Sequence, residues 1–258
     1  MCHDKKSEFF DCREQEVRSM IKSPCTFERI PSGIPNLDNM ICGGLPKQSS
    51  VMIRGGTGTC KTNLCIQYLY YGAKEHDDPG VFLSFAEAKQ QIHQHAHGFG
   101  WDLDALEKEG MFTIIRYEPH EVLKVMEEGG GSIRDTVESL GARRIVIDSL
   151  TAYEMLFEKR YRANESILNL FEMLRSWNAT TLVTSESPIS PNQEHRGRSG
   201  FLSDGIINMY NLRQGRHRIR AIEIIKMRDT THTDQVRVFK LTKNGIVIGE
   251  ELKNIAKF

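Results

Sequence analysis

The stretch Arg54–Thr62, "RGGTGTCKT", governs how the rest of the chain is read. It fits the phosphate-binding loop template G-x-x-x-x-G-K-[ST] at every fixed position except one, with Cys60 where the glycine before the lysine belongs. Such a loop works by aiming successive backbone N–H groups at an anion beside a helix N-terminus. Lys61 would bridge the β- and γ-phosphates, and the Thr62 hydroxyl would ligate Mg2+. Cys60 brings a Cβ to a place where close backbone approach to the β-phosphate is wanted. Two outcomes follow from that: a slightly opened loop of lower affinity, or a loop that no longer binds. Its place at a helix N-terminus beside Lys61 is also expected to favour the thiolate and so a redox role. The plainer reading is a small, tolerated substitution.

Working outward, the template demands a strand before the loop and a helix after it. "SVMIRG" supplies apolar residues bounded by turn formers, and "KTNLCIQYLYYGAKEH" places Leu64, Tyr68, Leu69 and Gly72 on one helical face. "GVFLSF", "MFTIIRY", "RRIVIDSL" and "ATTLVTSES" read as further buried strands. Between them, "QQIHQHAHGFGWDLDALEKEG" predicts two short helices broken at glycines, and "SIRDTVESLGA" an amphipathic helix stopping at Gly141. "ESILNLFEMLRSW" predicts another helix, with Ile167, Leu170, Phe171 and Leu174 at core spacing. From Gly205 the pattern turns to period-two runs, "GIINMYNLR", "RIRAIEIIKMR", "QVRVFKLT" and "GIVIG". Asp148 is an acid at the end of a buried strand, placed to hold a magnesium-bound water. The loop and this acid, in order and on the right elements, point to nucleotide binding.

The 258 residues suffice for one substantial core, and 34 basic against 34 acidic side chains leave no global field toward nucleic acid or anionic membrane. No apolar run approaches the roughly eighteen residues of a membrane span, and "MCHDKKSEFF" has no signal-peptide core, so a cytoplasmic location is expected. All six cysteines (Cys2, Cys12, Cys25, Cys42, Cys60, Cys65) lie in about the first quarter of the chain without zinc-type spacing. They read as free thiols in a reducing compartment. A metal site from Cys2, His3 and Cys12 lacks the spacing signature.

The sequence resembles the KaiC-like branch of the RecA ATPases from about Phe27 to Gly249. The resemblance is carried, in order, by "GIPNLDNMICGGLP", "GVFLSFAEAKQQI", "GFGWDLDALEKEGMF", "RRIVIDSLTA", "ATTLVTSES", "FLSDGIINM" and "EIIKMRDTTHT". It implies an α/β fold with a RecA-like P-loop NTPase core. A mainly parallel central sheet flanked by helices would end in a C-terminal antiparallel hairpin region. Residues 1–26 would form an arm or helix, 27–249 the ATPase domain and 250–258 a tail. It further implies a homo-oligomer, usually a hexameric ring, with ATP and Mg2+ between subunits. Gly56, Thr57, Gly58, Thr59, Cys60, Lys61, Thr62 and Asn63 would bind from one side, with Thr62 and Asp148 at the metal. Lys226 and Arg228 would reach the γ-phosphate of the adjacent subunit, where Met227, Thr230 and His232 would line the nucleotide. Without the resemblance, Lys226 and Arg228 would read as decoration of an exposed strand face. Cations supplied in trans stabilise charge on the transferring phosphoryl and make hydrolysis depend on assembly.

Two more departures from the family pattern bear on activity. The family has two adjacent acids at the end of the "GVFLSF" strand, but here the first is Ala86, leaving Glu87 to polarise the attacking water. Gly200 and Phe201 stand where clock KaiC carries its phosphorylated Ser and Thr, so autophosphorylation is not expected there. Basic runs at Lys159, Arg160 and Arg162, at Arg196 and Arg198, and at Arg213, Arg216, Arg218 and Arg220 fall where recombinases place DNA loops or around a hairpin turn. Solvated loops account for them more simply, so nucleic acid is not favoured. The leading expectation is an ATPase whose nucleotide occupancy controls ring assembly and binding of protein partners. The alternatives are an ATP sensor that barely hydrolyses and a recombinase-like DNA-binding ATPase.

Overall fold

The computed structural model describes residues 27–118, 121, 124–125, 130–187, 189–191 and 198–253. The expected arm, with Cys2, His3, Cys12 and Cys25, lies outside these residues, as does Arg196. A small antiparallel pair, β1 (Arg29–Ile30) with β2 (Leu45–Pro46), leads in, with the one-turn helix α1 (Leu37–Met40) between them. The main sheet holds nine strands in the order β11-β10-β9-β8-β3-β7-β6-β4-β5. β3 (Ser50–Gly55), β4 (Gly80–Ser84), β5 (Phe112–Arg116), β6 (Arg144–Asp148), β7 (Thr180–Glu186) and β8 (Gly205–Gln214) pair in parallel. β9 (His217–Met227), β10 (Arg237–Thr242) and β11 (Gly245–Glu251) continue from β8 as antiparallel hairpins. This is the α/β, mainly parallel architecture expected, with its antiparallel C-terminal edge.

Helices cover both faces, which is why the inner strands are continuously apolar rather than alternating. α2 (Lys61–His76), α3 (Lys89–His97) and α4 (Leu103–Lys108) share one cluster with Val51, Ile53 and Val146. α5 (Gly131–Leu140), α6 (Leu150–Glu154) and α7 (Arg160–Ser176) share the other with Met52, Ile145 and Ile147. Successive residues of one strand thus point into different cores, as the pleat requires. Gly72 of α2 is what lets that helix close on β6: a Cβ there would lie 2.3 Å from Nε of the fully buried Arg144. Arg144 donates from Nη2 and Nε to Asp78 Oδ2 at 2.9 and 3.1 Å, and from Nη1 to Tyr68 O at 3.0 Å.

Two expectations are corrected and one element is new. α7 begins at Arg160, so Arg160 and Arg162 are in a helix rather than a loop. Buried Ala163, four residues before Ile167, extends the apolar face one turn upstream, where a small side chain hid the period. The one-turn helix α6 was not anticipated; the Ser149 hydroxyl caps it, accepting from Ala152 N–H at 3.3 Å. Cys42 is disulfide-bonded rather than a free thiol, whereas Cys60 and Cys65 are free. Linear spacing does not reveal which cysteines the fold brings together. Among the described residues no helix is long and apolar enough to cross a membrane.

Candidate functional site

Parallel pairing gathers the chemistry on the carboxyl edge of the sheet, where ligands bind in open α/β folds. Gly55 ending β3 is in register with Glu186 ending β7, and Ser84 ending β4 with Asp148 ending β6. The loop therefore faces two acids on strand ends, with a third, Glu87, just beyond β4.

The loop depends on its first glycine. A Cβ on Gly55 would lie 2.5 Å from Met209 O and 2.6 Å from Thr59 Oγ1. Thr59 Oγ1 donates to Gly56 O at 2.9 Å, drawing the loop into its turn. Gly58 and Cys60 both have positive φ, 77° and 69°, a region costly for any residue with a Cβ. Cys60 therefore strains the backbone at the N-cap of α2, besides crowding what the loop would hold. Burial pushes the Cys60 thiol up, outweighing the pull of Arg220 and Lys61. The expectation of a favoured thiolate is thereby corrected: desolvation exceeds the benefit of the neighbouring cations.

Lys61 Nζ donates to the loop's own carbonyls, Gly55 O at 2.9 Å and Gly56 O at 3.0 Å. Burial lowers its pKa, with Glu186 and then Asp148 opposing. The Thr62 hydroxyl, one residue into α2, donates to Asp148 Oδ2 at 2.7 Å, and Thr184 Oγ1 donates to Oδ1 at 2.5 Å. Asn63 follows in the same helical turn. Glu87 is positioned by Ser84, whose hydroxyl accepts from Glu87 N–H at 3.0 Å and donates to Glu87 O at 2.7 Å. Its carboxylate stands 3.4 Å from His95 Nδ1. Burial raises the Glu87 pKa, His95 opposes, and the negative charge of Asp148 adds to the rise.

Lys226 and Arg228 lie at the other edge of the sheet. Gly205 starts β8 opposite Met227 at the end of β9, and the same Gly205 pairs with Val51 near the start of β3. The length of β3 separates them from their own loop, roughly 17–20 Å. Lys226 Nζ donates to Ser203 O at 2.5 Å and Gly200 O at 3.3 Å. Arg228 donates to Asp204 Oδ1 and Phe201 O, each at 3.2 Å. Asp204 Oδ2 in turn accepts from Ser50 N–H at 3.0 Å, anchoring this cation pair to the first residue of β3. Met227 between them is buried and belongs to the core cluster that holds Val51 and Ile224. Thr230 is half-buried and His232 exposed on the β9–β10 connection, His232 Nδ1 lying 2.9 Å from Thr233 O.

Residues 30–253 match the family model described as "ATPase: KaiC". The chain belongs to the KaiC family. It is 34% identical over 228 residues to the circadian clock oscillator protein KaiC of Picosynechococcus sp., covering 86% of this chain and 44% of that protein. KaiC of Synechococcus elongatus is also 34% identical over 228 residues, with 83% of this chain and 43% of that protein covered. The chain thus spans under half the length of these relatives. The crystal structure of a KaiC-like protein from the hyperthermophilic archaeon Pyrococcus horikoshii superposes with a TM-score of 0.79 at 32% identity, covering 87% of this chain and 100% of that one.

Three side chains touch the KaiC-type loop that the sequence did not single out for it. Glu186 Oε1 accepts from Thr57 Oγ1 at 2.5 Å, while Arg220 Nε and Asn211 Nδ2 donate to Gly58 O at 3.3 and 3.5 Å. Glu186 is an acid ending a strand, the same signal that marked Asp148. Arg220 was grouped with the solvated hairpin arginines. Its approach to the loop needs the β8–β9 register, which sets it opposite Asn211.

Proposed function

We propose that this chain is a Mg2+-dependent ATPase whose site is completed between copies. The observation that supports it most is the placement of the loop and of Lys226 and Arg228 at opposite edges of the sheet. No single chain can bring that cation pair to its own loop, whereas a neighbour can present it. Gly56–Asn63 bind the triphosphate, with Lys61 on the β- and γ-phosphates. The site's donors suit the ligand: the Thr62 hydroxyl and Asp148 carboxylate are the hard oxygens Mg2+ takes, and the Gly55 cradle leaves room only for backbone. Glu87, its basicity raised by burial, orients the attacking water. Lys226 and Arg228 of the adjacent copy stabilise the transferring charge, with Met227, Thr230 and His232 beside the nucleotide.

The assembly is a homo-oligomeric, hexameric ring in the cytoplasm, built on an ATPase domain at 27–249 with flanking segments 1–26 and 250–258. Nucleotide state governs its assembly and its protein partners. Turnover is slow, because Ala86 leaves a single acid where the family has two. The same residue favours a second reading, an ATP-binding sensor that barely hydrolyses; sustained phosphate release would eliminate it. The DNA-binding reading loses part of its hairpin, since Arg218 and Arg220 donate to Asn211 O and Gly58 O within the chain.

Mixing two inactive variants tests the shared site. Lys61→Ala removes the loop's lysine and Arg228→Ala the trans cation, so each alone is expected to lose turnover. Mixed rings contain some interfaces with an intact loop from one copy and an intact Arg228 from the other, and activity returns there. No rescue, in mixtures shown by mass spectrometry to have exchanged subunits, would reject the mechanism.

A further inference from the structure

Glu186 stands where an anion is expected to bind. Its Oε1 accepts the Thr57 hydroxyl at 2.5 Å, its N–H donates to Thr151 Oγ1 at 2.8 Å, and Ser187 N–H donates to Gly55 O at 3.1 Å. The end of β7 is thereby fastened to the loop at both Gly55 and Thr57. The Lys61 ammonium points into this same corner, toward Gly55 O and Gly56 O. Lys61 Nζ and Ser187 N–H both donate to Gly55 O, so the segment carrying this carboxylate and the loop's chief cation share one carbonyl. A triphosphate must compete with Glu186 for the Thr57 hydroxyl.

The two acids on the edge differ in what they do to a bound nucleotide. Asp148 would meet it through the Thr62 corner, where Mg2+, if bound, would neutralise the charge between them. Glu186 is fixed at the Thr57 and Gly55 side of the loop, where it makes no ion pair among the described residues. Repulsion there falls on the terminal phosphate, which a diphosphate lacks. We infer that Glu186 is a specificity-determining residue that sets the preference between nucleoside di- and triphosphate by penalising the γ-phosphate. This rests on the reading of the loop as a nucleotide site. Its consequence is a site that keeps ADP more readily than the loop sequence alone would suggest.

The test is titration calorimetry of the full chain with MgADP and with the magnesium complex of the imido analogue of ATP, for wild type and Glu186→Gln. Gln preserves shape and the hydrogen bond to Thr57 while removing the charge. Affinity for the triphosphate analogue is expected to rise about tenfold, the order for one unit charge a few ångströms away in a partly solvated site. Affinity for ADP should change far less. Glu186→Asp, which keeps the charge, should retain the wild-type ratio of the two affinities. An unchanged ratio in Glu186→Gln, or equal tightening of both nucleotides, overturns the inference while leaving nucleotide binding intact. Folded wild-type and variant proteins that bind neither nucleotide would instead overturn the nucleotide site itself, and the inference with it. Glu186 is exposed, so folding is expected to survive both substitutions, and a thermal melt of each variant verifies that.

Discussion

The Thr62 hydroxyl donates to Asp148 Oδ2 across 2.7 Å, tying the first turn of the helix after the loop to the end of a strand two places away in the sheet. Both side chains would help to hold Mg2+ in the nucleotide complex, Thr62 through its hydroxyl oxygen and Asp148 through a bound water. Asp148→Asn should weaken Mg2+ binding in the nucleotide complex by about 10–100-fold, the usual range for groups that tune a metal site. Nucleotide affinity measured in EDTA should hardly move. Equal losses with and without Mg2+ would reduce Asp148 to a structural support for α2.

Cys60→Gly should raise stability as well as affinity. The residue sits at φ 69°, a conformation glycine adopts freely and cysteine does not. Relief of about 1 kcal/mol is expected, seen as a rise of about 2–4 °C in Tm. Cys60→Ala keeps the Cβ and should show no such gain, and a gain of the same size would locate the effect in the sulfur. ATP affinity should increase in Cys60→Gly, and an unchanged value would show that the Cβ does not crowd the phosphate.

Asp78→Ala should be severely destabilising. It strands the Arg144 guanidinium, fully buried over the Tyr68 ring with its centroid 4.7 Å away. Leaving one partner of a buried pair costs about 3–5 kcal/mol, readable as a shift in denaturant midpoint. Replacing Arg144 and Asp78 together by apolar residues should cost less than losing Asp78 alone. A double variant worse than the single would mean that packing around Gly72, rather than charge, dominates.

Glu87→Gln separates stability from turnover by pH. Burial, with Asp148 adding and His95 opposing, raises the Glu87 pKa. A carboxyl that holds its proton more tightly when folded stabilises the protein below its unfolded pKa and loses that contribution as pH rises through the folded value. At pH 7 the ionised side chain is a liability, so Glu87→Gln should melt higher than wild type. The difference should fade below about pH 4, where both states are protonated. Turnover at pH 7 should vanish. A variant that melts lower at pH 7 would show that the ion pair with His95 outweighs the burial.

The strands and helices that position this site were legible because each carries a period or a continuous apolar run. "SVMIRG" and "RRIVIDSL" are buried on both faces, and the loop template fixed what lies between strand and helix. Thr62 meets Asp148, while Lys61 beside it turns to the loop's own carbonyls. What stayed hidden depends on neighbours far away in the chain. Glu186 reaches Thr57 only because β7 lies beside β3, and Arg220 reaches Gly58 only through the hairpin register. The Cys60 thiol misled for a related reason: adjacent cations are visible in a sequence, whereas the desolvation that exceeds them is not. α7 began early because Ala163 is too small to announce a core-facing turn.

The placement of Lys226 and Arg228 a strand's length from their own loop has an arithmetical consequence. In the proposed ring every copy is at once recipient at one flank and contributor at the other. Damage to the loop silences only the copy's own flank, and damage to Arg228 only its neighbour's. A copy carrying both lesions poisons two flanks. Titrating such a copy into wild-type rings would extinguish activity about twice as steeply, per copy added, as either single lesion does at low dose. Each such chain would thus silence two sites instead of one, a vulnerability built in by the direction of one strand.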